Sequence, residues 1–216
     1  MCTPGNSEKN TDTAAAAEQC SALIVAAGMS RRMKQFKQLM QIGHATVIEQ
    51  VVSRFLEAGI RRITVVTGYR ADEVEAKLAP YGVSCLRNEA YARTEMFDSV
   101  KLGLAHLRGT CSRILFCPGD VPMFSVETLL AELKHAEDQL IFPITSDRIG
   151  HPILIDAELI LSILAYQGGG GLKGALDATG IRPLRLDARD AGSILDADTP
   201  DDFRQLLELE RLARGT

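Results

Sequence analysis

The feature that most constrains the fold is an alternation of short apolar runs with longer segments of helical periodicity, which begins at Cys20. The runs are rich in β-branched residues and include SALIVAA, RRITVVT, VSCLR, RILFCPG, LIFPIT, HPILI and PLRLD. This alternation is typical of strands joined by helical crossovers, which form a parallel sheet covered by helices on both faces. The sequence therefore predicts a three-layer α/β/α fold with a mostly parallel sheet.

The chain divides at about residue 19. Residues 1–19 are polar and contain few large apolar side chains, so they cannot bury enough surface to offset the entropy lost on ordering. No linker or repeat interrupts residues 20–216, and a chain of 216 residues is long enough for one sizeable core. We expect a disordered N-terminal tail over 1–19 and a single domain over 20–216.

Charge and composition exclude several classes of partner. The 24 Lys and Arg residues are outnumbered by 28 Asp and Glu residues, and the net charge of −4 gives no general reason to bind nucleic acid or an anionic membrane. The longest apolar run, residues 22–29, is far shorter than the ~20 residues of a membrane helix, and the N-terminus lacks a secretory pattern. Five cysteines contain no C-x-x-C pair. We expect a cytoplasmic protein with reduced thiols.

A glycine turn follows the first predicted strand, at Ala26, Ala27 and Gly28. Ligands of parallel α/β sheets bind at the carboxyl ends of the strands, and small residues let backbone N–H groups approach a phosphate. A hydroxyl and four basic side chains follow at Ser30, Arg31, Arg32, Lys34 and Lys37. This local charge suits a polyphosphate, with a solvated basic loop as the alternative. The G-x-G-x-x-G and P-loop patterns are both missing, which argues against a dinucleotide oxidoreductase and a P-loop enzyme.

The pattern A-A-G-x-S-x-R-M-x-x-x-K over residues 26–37 resembles the signature of the MobA-like nucleotidyltransferases. Members of that family attach a nucleoside monophosphate to a phosphorylated acceptor and release pyrophosphate. The resemblance implies a Rossmann-like sheet of the nucleotide-diphospho-sugar transferase type. It also implies that Arg32 and Lys37 are catalytic cations on the triphosphate, and that residues 26–28 and Ser30 line the nucleotide.

Two aspartates follow predicted strands elsewhere in the chain. Asp120 lies in the turn GDVP, and Asp198 lies in DADTPDD directly before a predicted helix. Taken alone, each is a turn or capping residue. The G-D-[MV]-P and D-x-D-T-P-[ED]-D forms are similar to two metal-binding motifs of the same family. The resemblance implies that Asp120 and Asp198 bind Mg²⁺, which proteins hold with one or two carboxylates plus phosphate oxygens and water, and that Asp196 is a neighbour.

The chemistry implied by this resemblance needs no protein nucleophile. An acceptor phosphate oxygen attacks the α-phosphorus in line, while the metal at Asp120, together with Arg32 and Lys37, offsets charge on the shifting oxygens. Asp120 therefore joins the two cations in the predicted catalytic set. We assign no general base.

The segment TEMFDSVKLGL, residues 94–104, is similar to the family segment G-M-x-x-S-[LV] near the base. Asp98 and Ser99 also resemble the segment of methylerythritol-phosphate cytidylyltransferases that faces cytosine. Together with A-A-G in place of A-G-G, these matches favour CTP and place both residues in the nucleotide site. Helix capping is the structural alternative for Ser99. Two positions depart from the family pattern, since Lys34 and Glu95 both replace glycine.

The acceptor is indicated by the triplet Gly150-His151-Pro152, which resembles a strand start in molybdenum cofactor cytidylyltransferases. Their acceptor is a phosphorylated pterin. By this resemblance His151 binds the acceptor. Lys173, at the end of the glycine-rich segment 168–173, binds the phosphate of the acceptor. The four consecutive glycines there suggest a mobile lid or a backbone that touches ligand. The alternatives are a strand-end histidine and a surface lysine.

The sequence therefore predicts a Mg²⁺-dependent enzyme that transfers CMP from CTP to a phosphorylated acceptor of molybdopterin type, with a molybdoenzyme as candidate recipient of the product. Three alternatives stay open. They are use of GTP, a sugar-phosphate or methylerythritol-phosphate acceptor, and a non-catalytic nucleotide-binding regulator. The departures at Lys34 and Glu95 leave room for the regulator.

Overall fold

The computed structural model describes residues 7–33, 35–135 and 137–214. The strands in these ranges are β1 (Cys20–Ala26), β2 (Gln41–Ile42), β3 (Ala45–Thr46), β4 (Arg62–Thr67), β5 (Ser84–Arg87), β6 (Arg113–Pro118), β7 (Leu140–Thr145), β8 (Arg148–Ile149), β9 (Ile153–Asp156) and β10 (Leu184–Asp187). Eight of them form one sheet in the order β10-β7-β9-β6-β1-β4-β5, with β8 paired to β7. Strands β2 and β3 form a separate antiparallel pair.

The large sheet is mostly parallel. Strand β1 pairs in parallel with β4 and with β6, β4 pairs with β5, and β7 pairs with β10. The exceptions are β9, antiparallel to β6 and β7, and β8, antiparallel to β7. This architecture confirms the α/β fold that the alternating apolar runs predict.

Helices cover both faces of the sheet. They are α1 (Ser7–Gln19), α2 (Val47–Glu57), α3 (Ala71–Leu78), α4 (Met96–Leu107), α5 (Val126–Leu133), α6 (Ile160–Ala165), α7 (Gly171–Ala178) and α8 (Pro200–Arg214). Every residue of β1 is buried, because Ala22 and Ile24 pack with α2 and α5 on one face while Leu23 and Val25 pack with α4 on the other. Across the described ranges, no helix combines the length and apolarity needed to cross a bilayer.

The N-terminal segment differs from the expected tail. Residues 7–19 form α1, which packs against α5 and the start of β1, and Thr13 and Ala17 are buried. Alanine has the best helix propensity of any residue, so the run of four alanines loses little entropy in a helix. A small buried face at Ala17 is then enough to pack α1 against the core. The rest of the expected tail, residues 1–6, lies outside the described residues.

The carboxyl ends of β1 and β6 lie side by side, with Val25 in register with Pro118. The backbone N–H of Gly119 donates to the carbonyl oxygen of Val25 at 2.8 Å. A Cβ on Gly119 would lie 2.9 Å from the Cβ of Ala26, so this close approach needs glycine. The turn therefore places Asp120 directly beside the loop that follows β1.

Candidate active site

The Lys37 side chain joins two aspartates that lie far apart in the sequence. Its Nζ donates a short hydrogen bond to Asp120 Oδ2 and a second, of 2.7 Å, to Asp198 Oδ1. Arg32 Nη2 donates to the other oxygen of Asp198, Oδ2, at 2.5 Å. The structure thus brings together the four side chains for which the sequence predicts contact with metal and triphosphate.

The ion pairs run from a sheltered centre to an exposed mouth. The side chains of Lys37 and Asp120 are 12% and 15% exposed, Asp198 is 27% exposed, and Arg32 is 72% exposed. Burial alone would lower the pKa of Lys37, but Asp120 and Asp198 outweigh it and hold that pKa above its ordinary value. Burial opposes ionisation of Asp198 as well, yet Lys37 and Arg32 keep its pKa below the ordinary value. Lys37 is therefore a cation and Asp198 an anion at neutral pH.

Capping does not account for Asp198. The helix α8 is capped by the next residue, since the Thr199 N–H and hydroxyl both donate to Asp202 Oδ2, at 2.8 and 2.7 Å. The Asp202 N–H donates back to Thr199 Oγ1 at 3.2 Å. This reciprocal cap satisfies the first turn of the helix and leaves the Asp198 carboxylate for the cations.

Ser30 shapes the loop that carries the two cations. Its Oγ accepts the backbone N–H of Lys37 at 3.2 Å and donates to Gln38 Oε1 at 3.1 Å, and its carbonyl accepts the N–H of Met33 at 3.1 Å. The sequence places Ser30 among the nucleotide-binding residues, whereas the structure commits its hydroxyl to the loop itself. Ser30 therefore supports the position of Lys37. Lys34, which departs from the family pattern, lies outside the described residues.

A cavity of about 140 Å³ opens beside the ion pairs. Ala27, Gly28, Lys37 and Asp120 line it on the side of the β1 loop, together with Gln38, and Tyr91, Thr94, Glu95, Met96 and Ser99 line the opposite side. Ala26 is buried as the last residue of β1 and supports the turn from behind. The backbone of this turn thus faces a space continuous with the charged centre.

The two residues predicted to lie near the base have different positions. Ser99 is 2% exposed and lines the cavity, where Asn88 Nδ2 donates to its Oγ at 2.9 Å. Asp98 is exposed, and its carboxylate accepts the N–H of Glu95 at 2.8 Å, which caps α4. Ser99 is therefore a wall residue, while Asp98 supports the helix that carries it.

His151 lies close enough to Asp120 for the charge of Asp120 to influence its pKa. Burial lowers the pKa of His151 to about 4, although the negative charge of Asp120 opposes the shift. Nδ1 of His151 is buried without a hydrogen-bond partner in the described part of the chain, and the ring stands edge-on to Phe116 with centroids 5.9 Å apart. The ring is therefore neutral near pH 7 and keeps an unused polar atom.

The structure gives Lys173 a partner on its own helix. Lys173 Nζ donates to Asp177 Oδ2 at 2.6 Å, with both side chains mostly exposed. Tyr166 holds the glycine-rich segment before Lys173 by a hydrogen bond of 2.8 Å from its Oη to the carbonyl oxygen of Gly169. Tyr166 is itself held by Lys101, whose Nζ donates to the Tyr166 carbonyl oxygen. Lys173 thus pairs within its own helix and not with a side chain of the charged centre.

The carboxylates fit a cation that is shared with phosphate. Among the described residues, no group of three or more His, Cys, Asp or Glu side chains is arranged to hold a metal ion. Mg²⁺ does not need such a cage, since it usually takes one or two carboxylates and completes its shell with phosphate oxygens and water. Asp120 and Asp198 already share one cation, the Lys37 ammonium. Burial, and then the charges of Asp198 and Asp120, raise the pKa of Asp196 beside them.

A comparison with known families decides the class of protein. The model of the MobA-like NTP transferase domain matches residues 22–184. The chain belongs to this family. The match confirms the resemblance that the A-A-G loop and the two aspartate motifs carry, and it makes the protein a nucleotidyltransferase of the MobA-like type.

The curated proteins that are similar to this MobA-like transferase include a cytidylyltransferase and a bifunctional protein. Molybdenum cofactor cytidylyltransferase of Escherichia coli K12 is 27% identical over 182 residues, which cover 84% of this chain and 92% of that protein. The bifunctional protein GlmU of Bacillus cytotoxicus is 30% identical over 119 residues, which cover 54% of this chain but only 25% of that protein.

Solved structures confirm that the fold is of the nucleotide-diphospho-sugar transferase type. A nucleotidyl transferase from Methanothermobacter thermautotroptrophicus gives a TM-score of 0.80 at 26% identity and covers 90% of this chain and 99% of that chain. A manganese complex of Rv0371C from Mycobacterium tuberculosis H37Rv gives 0.74 at 26% identity and covers 88% of this chain and 98% of that chain. A 4-diphosphocytidyl-2C-methyl-D-erythritol synthase, at 22% identity and a TM-score of 0.66, covers 88% and 97% and shares the fold.

A buried residue behind the cavity wall, Asn88, is not marked by any motif in the sequence. Asn88 is buried between the end of β5 and α4, where its side-chain amide contacts Thr94 and Ser99. The available signal was its place directly after a strand, at the edge where ligands bind in parallel sheets. Its partners come from the following turn, at Thr94, and from α4, at Ser99, so their contact depends on how the chain folds there.

Proposed function

We propose that this MobA-like transferase moves CMP from CTP to a phosphorylated acceptor of molybdopterin type and releases pyrophosphate, with Mg²⁺ as cofactor. The observation that carries the proposal is the Lys37 ammonium held between Asp120 and Asp198, beside a small cavity that Ser99 lines. Cations and carboxylates from three separate loops converge there. A metal bound to a triphosphate needs this combination of charges.

The side chains of the centre suit nucleotidyl transfer. When bound, Mg²⁺ would neutralise and orient phosphate oxygens for displacement. Asp120 and Asp198 would hold it, and the Lys37 ammonium, now free of both carboxylates, would bind phosphate oxygens together with Arg32. These cations would stabilise the charge that develops on the departing pyrophosphate. The acceptor phosphate is itself the nucleophile, so the chain forms no covalent intermediate.

A divalent metal is supported by a structural relative as well as by the carboxylates. The Rv0371C structure, which is 26% identical, is described as a complex with manganese. Mg²⁺ and Mn²⁺ share a preference for oxygen ligands in octahedral geometry. The donor set at Asp120 and Asp198 consists of carboxylate oxygens, which suits either ion.

CTP is favoured by the A-A-G turn and by Ser99. The turn lines one side of the cavity at Ala27 and Gly28, and Ser99 lines the other. The Escherichia coli relative is named a cytidylyltransferase. Asp98 would contribute indirectly, because its carboxylate caps α4 at the Glu95 N–H.

The molybdopterin-type acceptor is supported by the G-H-P triplet and by the name of the same relative. His151 offers a neutral ring with an unpartnered Nδ1 near Asp120, which could bind a polar group of a pterin. Lys173 would have to leave Asp177 to reach an acceptor phosphate, and an exposed pair of this kind is worth at most about 0.5 kcal/mol. A molybdoenzyme recipient and a cytoplasmic location stay predictions.

A sugar-phosphate acceptor is the second candidate. It is favoured by the local similarity to GlmU, which reaches 30% identity over 119 residues. That similarity covers about a quarter of GlmU, so it supports the class of reaction more than any particular acceptor. A GTP-dependent enzyme and a non-catalytic regulator are the other outcomes of the test below.

Pyrophosphate release with four nucleotides and three acceptors tests the proposal. CTP, GTP, ATP and UTP are each offered with molybdopterin, a sugar 1-phosphate or methylerythritol phosphate, in Mg²⁺ or in excess chelator. We expect release with CTP and molybdopterin that the chelator abolishes. Faster release with GTP or with another acceptor would replace that part of the proposal. CTP binding without release for any acceptor would mean a regulator.

A further inference from the structure

The two loops that carry the aspartates of the site lie side by side. One, the Asp120 loop, covers residues 119–125 between β6 and α5, and the other, the Asp198 segment, covers residues 190–198 before α8. They touch at three places, which are the backbone bond from Ala197 to Asp120, the contact of Gly192 with Met123, and the bond from Ser125 to Asp190. The order of these contacts shows that the two loops run in opposite directions.

The contact in the middle joins the two backbones directly. Gly192 is buried, and a Cβ on it would overlap the carbonyl oxygen of Met123, so this approach is open only to glycine. No side chain separates the two loops at this point. The position of the Asp198 segment is therefore set by what holds it against the Asp120 loop.

Asp190 holds the far end of the segment with its side chain. Its Oδ2 accepts the Ser125 N–H at 2.7 Å and the Thr128 hydroxyl at 2.8 Å, both from the start of α5. Its Oδ1 accepts the Gly192 N–H at 3.1 Å, within the segment itself. An ionised carboxylate only accepts, and its hydrogen bonds are roughly twice as strong as those between neutral groups. One side chain thus ties the segment to α5 and to the glycine that touches Met123.

Capping of α5 does not account for these bonds. Ser125 is the N-cap of α5, and its own Oγ accepts the Thr128 N–H at 3.1 Å. The bonds from Ser125 and Thr128 to Asp190 therefore add to a cap that the helix already has. The backbone N–H of Asp190 donates to Thr145 Oγ1 at 2.9 Å, at the end of β7. Asp190 is thus fixed between a strand and a helix before the segment reaches the site.

We propose that Asp190 is a positioning residue that places Asp198 for binding of the metal. It acts through the backbone of the segment, at whose other end Asp198 meets Arg32 and Lys37. The inference rests on the proposed metal role of Asp120 and Asp198 and adds the residue that sets their spacing. Mg²⁺ demands near-ideal octahedral geometry with oxygens at about 2.0–2.1 Å, so displacement of one carboxylate weakens its binding. Loss of a group that orients a metal ligand typically lowers metal affinity about 10–100-fold.

The factor by which Mg²⁺ strengthens CTP binding reports on this placement. By linkage, the factor measures how much better the metal binds when it contacts the triphosphate and the two carboxylates together. Mg²⁺ also changes the charge of free CTP, but it does so equally for every variant, so comparison of the factors isolates the contacts with the protein. Asp190→Ala removes the bonds to α5 and leaves the loop of Arg32 and Lys37 unchanged. Asp156→Ala, which removes a carboxylate that accepts the Glu158 N–H at the opposite end of the sheet, is the matched control.

Calorimetric titration with CTP, in Mg²⁺ and in excess chelator, provides the measurement. The parent is expected to bind CTP more tightly in Mg²⁺. Asp190→Ala should reduce that factor about tenfold or more, while its affinity for CTP in chelator stays that of the parent. Asp156→Ala should keep the factor of the parent. A merely structural role of Asp190 would weaken CTP binding equally in both solutions, or lower only the Tm, and would leave the factor unchanged.

The outcomes separate this inference from the proposed function. A parent protein whose affinity for CTP is not raised by Mg²⁺ overturns the metal role of Asp120 and Asp198. A parent that shows the factor, with the same factor in Asp190→Ala, overturns the role of Asp190 alone.

Asp190→Asn decides if thermal unfolding shows that Asp190→Ala does not fold. Its amide oxygen keeps the two bonds to α5, whereas its NH₂ group opposes the Gly192 N–H that Oδ1 accepted. The factor should then fall about threefold, which corresponds to the loss of one hydrogen bond. An unchanged factor in Asp190→Asn would overturn the role of Asp190.

Discussion

The backbone N–H of Ala197 donates a hydrogen bond of 2.9 Å to the carbonyl oxygen of Asp120. Ala197 is fully buried and directly precedes Asp198, so this bond joins the two loops that carry the aspartates of the site. The separation of the two carboxylates is therefore set by the backbone. Lys37 can bridge them because they are held in place before any ligand arrives. We expect this arrangement to exchange its ion pairs for contacts with metal and triphosphate.

Asp120→Ala is expected to abolish turnover while the protein stays folded. The Asp120 carboxylate contacts Lys37 from a turn at the edge of the sheet, so its loss removes charge without opening the core. Removal of one group that stabilises transition-state charge lowers kcat about 100-fold or more. Pyrophosphate release at saturating CTP measures the effect. Asp187→Ala, at an exposed carboxylate elsewhere, is the control, and near-normal kcat in Asp120→Ala would reject the metal role.

Lys37→Ala is expected to weaken CTP binding and to increase the stabilisation of the protein by Mg²⁺. Loss of a phosphate contact raises KM for CTP about tenfold or more, whereas Asp120 and Asp198 lose their shared cation. Without that competitor, Mg²⁺ should raise the Tm of the variant more than that of the parent. Lys77→Ala, at an exposed position of α3, controls for loss of charge. Unchanged KM together with an unchanged metal response would remove Lys37 from the site.

Glu132 on α5 gives a pH prediction that is independent of the active site. It is fully buried, and neither carboxylate oxygen has a hydrogen-bond partner among the described residues. Burial raises the pKa of Glu132 well above its ordinary value, although the charge of Arg113 opposes the shift. Glu132 then stays protonated in the folded protein at a pH at which it has ionised in the unfolded chain. The free energy of unfolding should fall with rising pH between the ordinary and the raised pKa, by at most about 1.4 kcal/mol per pH unit.

Glu132→Gln removes this titration at constant size. The stability of the variant relative to the parent should therefore be greater at about pH 8 than at about pH 5, because pH 5 lies only just above the ordinary pKa of a glutamate, where ionisation of the unfolded chain has cost the parent little stability. Chemical denaturation at both pH values measures it. Glu127→Gln, on the exposed side of the same helix, is the matched control. A difference between Glu132→Gln and parent that does not change with pH contradicts the prediction.

Ala17→Glu tests whether α1 is part of the fold. Ala17 is 4% exposed in the core, whereas Ala15 on the same helix is exposed. Burial of an unpaired charge is expected to cost about 2 kcal/mol or more, which lowers Tm by about 4–8 °C for a chain of this size. Ala15→Glu should leave Tm almost unchanged. Equal Tm values for the two variants would support a disordered tail instead.

The sheet could be predicted because its central strands are buried on both faces, so that each of them reads as a continuous apolar run. The direction of β9 could not be predicted from the sequence. Its residues look like those of a parallel strand, yet it runs antiparallel between β6 and β7. An apolar run covered on both sides carries no sign of its direction. The helix α1 was missed for a related reason, since composition shows how little apolar surface it has but not that Ala17 alone reaches the core.

The charged centre could be predicted in part. Arg32, Lys37, Asp120 and Asp198 follow strands or precede a helix at one edge of the sheet, and local motifs mark each of them. Which cation pairs with which carboxylate depends on the loop that Ser30 braces, and no local pattern encodes that. The same holds for Asn88, whose partners are set by where α4 meets β5. Lys173 shows the converse, because a motif match says nothing of its nearby Asp177.

Anomalous diffraction from crystals grown with CTP and Mn²⁺ tests the central claim most directly. The account predicts an anomalous peak within coordination distance of an oxygen of Asp120, an oxygen of Asp198 and a phosphate oxygen, with Lys37 moved from the carboxylates to the triphosphate. A triphosphate bound elsewhere, with Lys37 still held between the two aspartates, would contradict it.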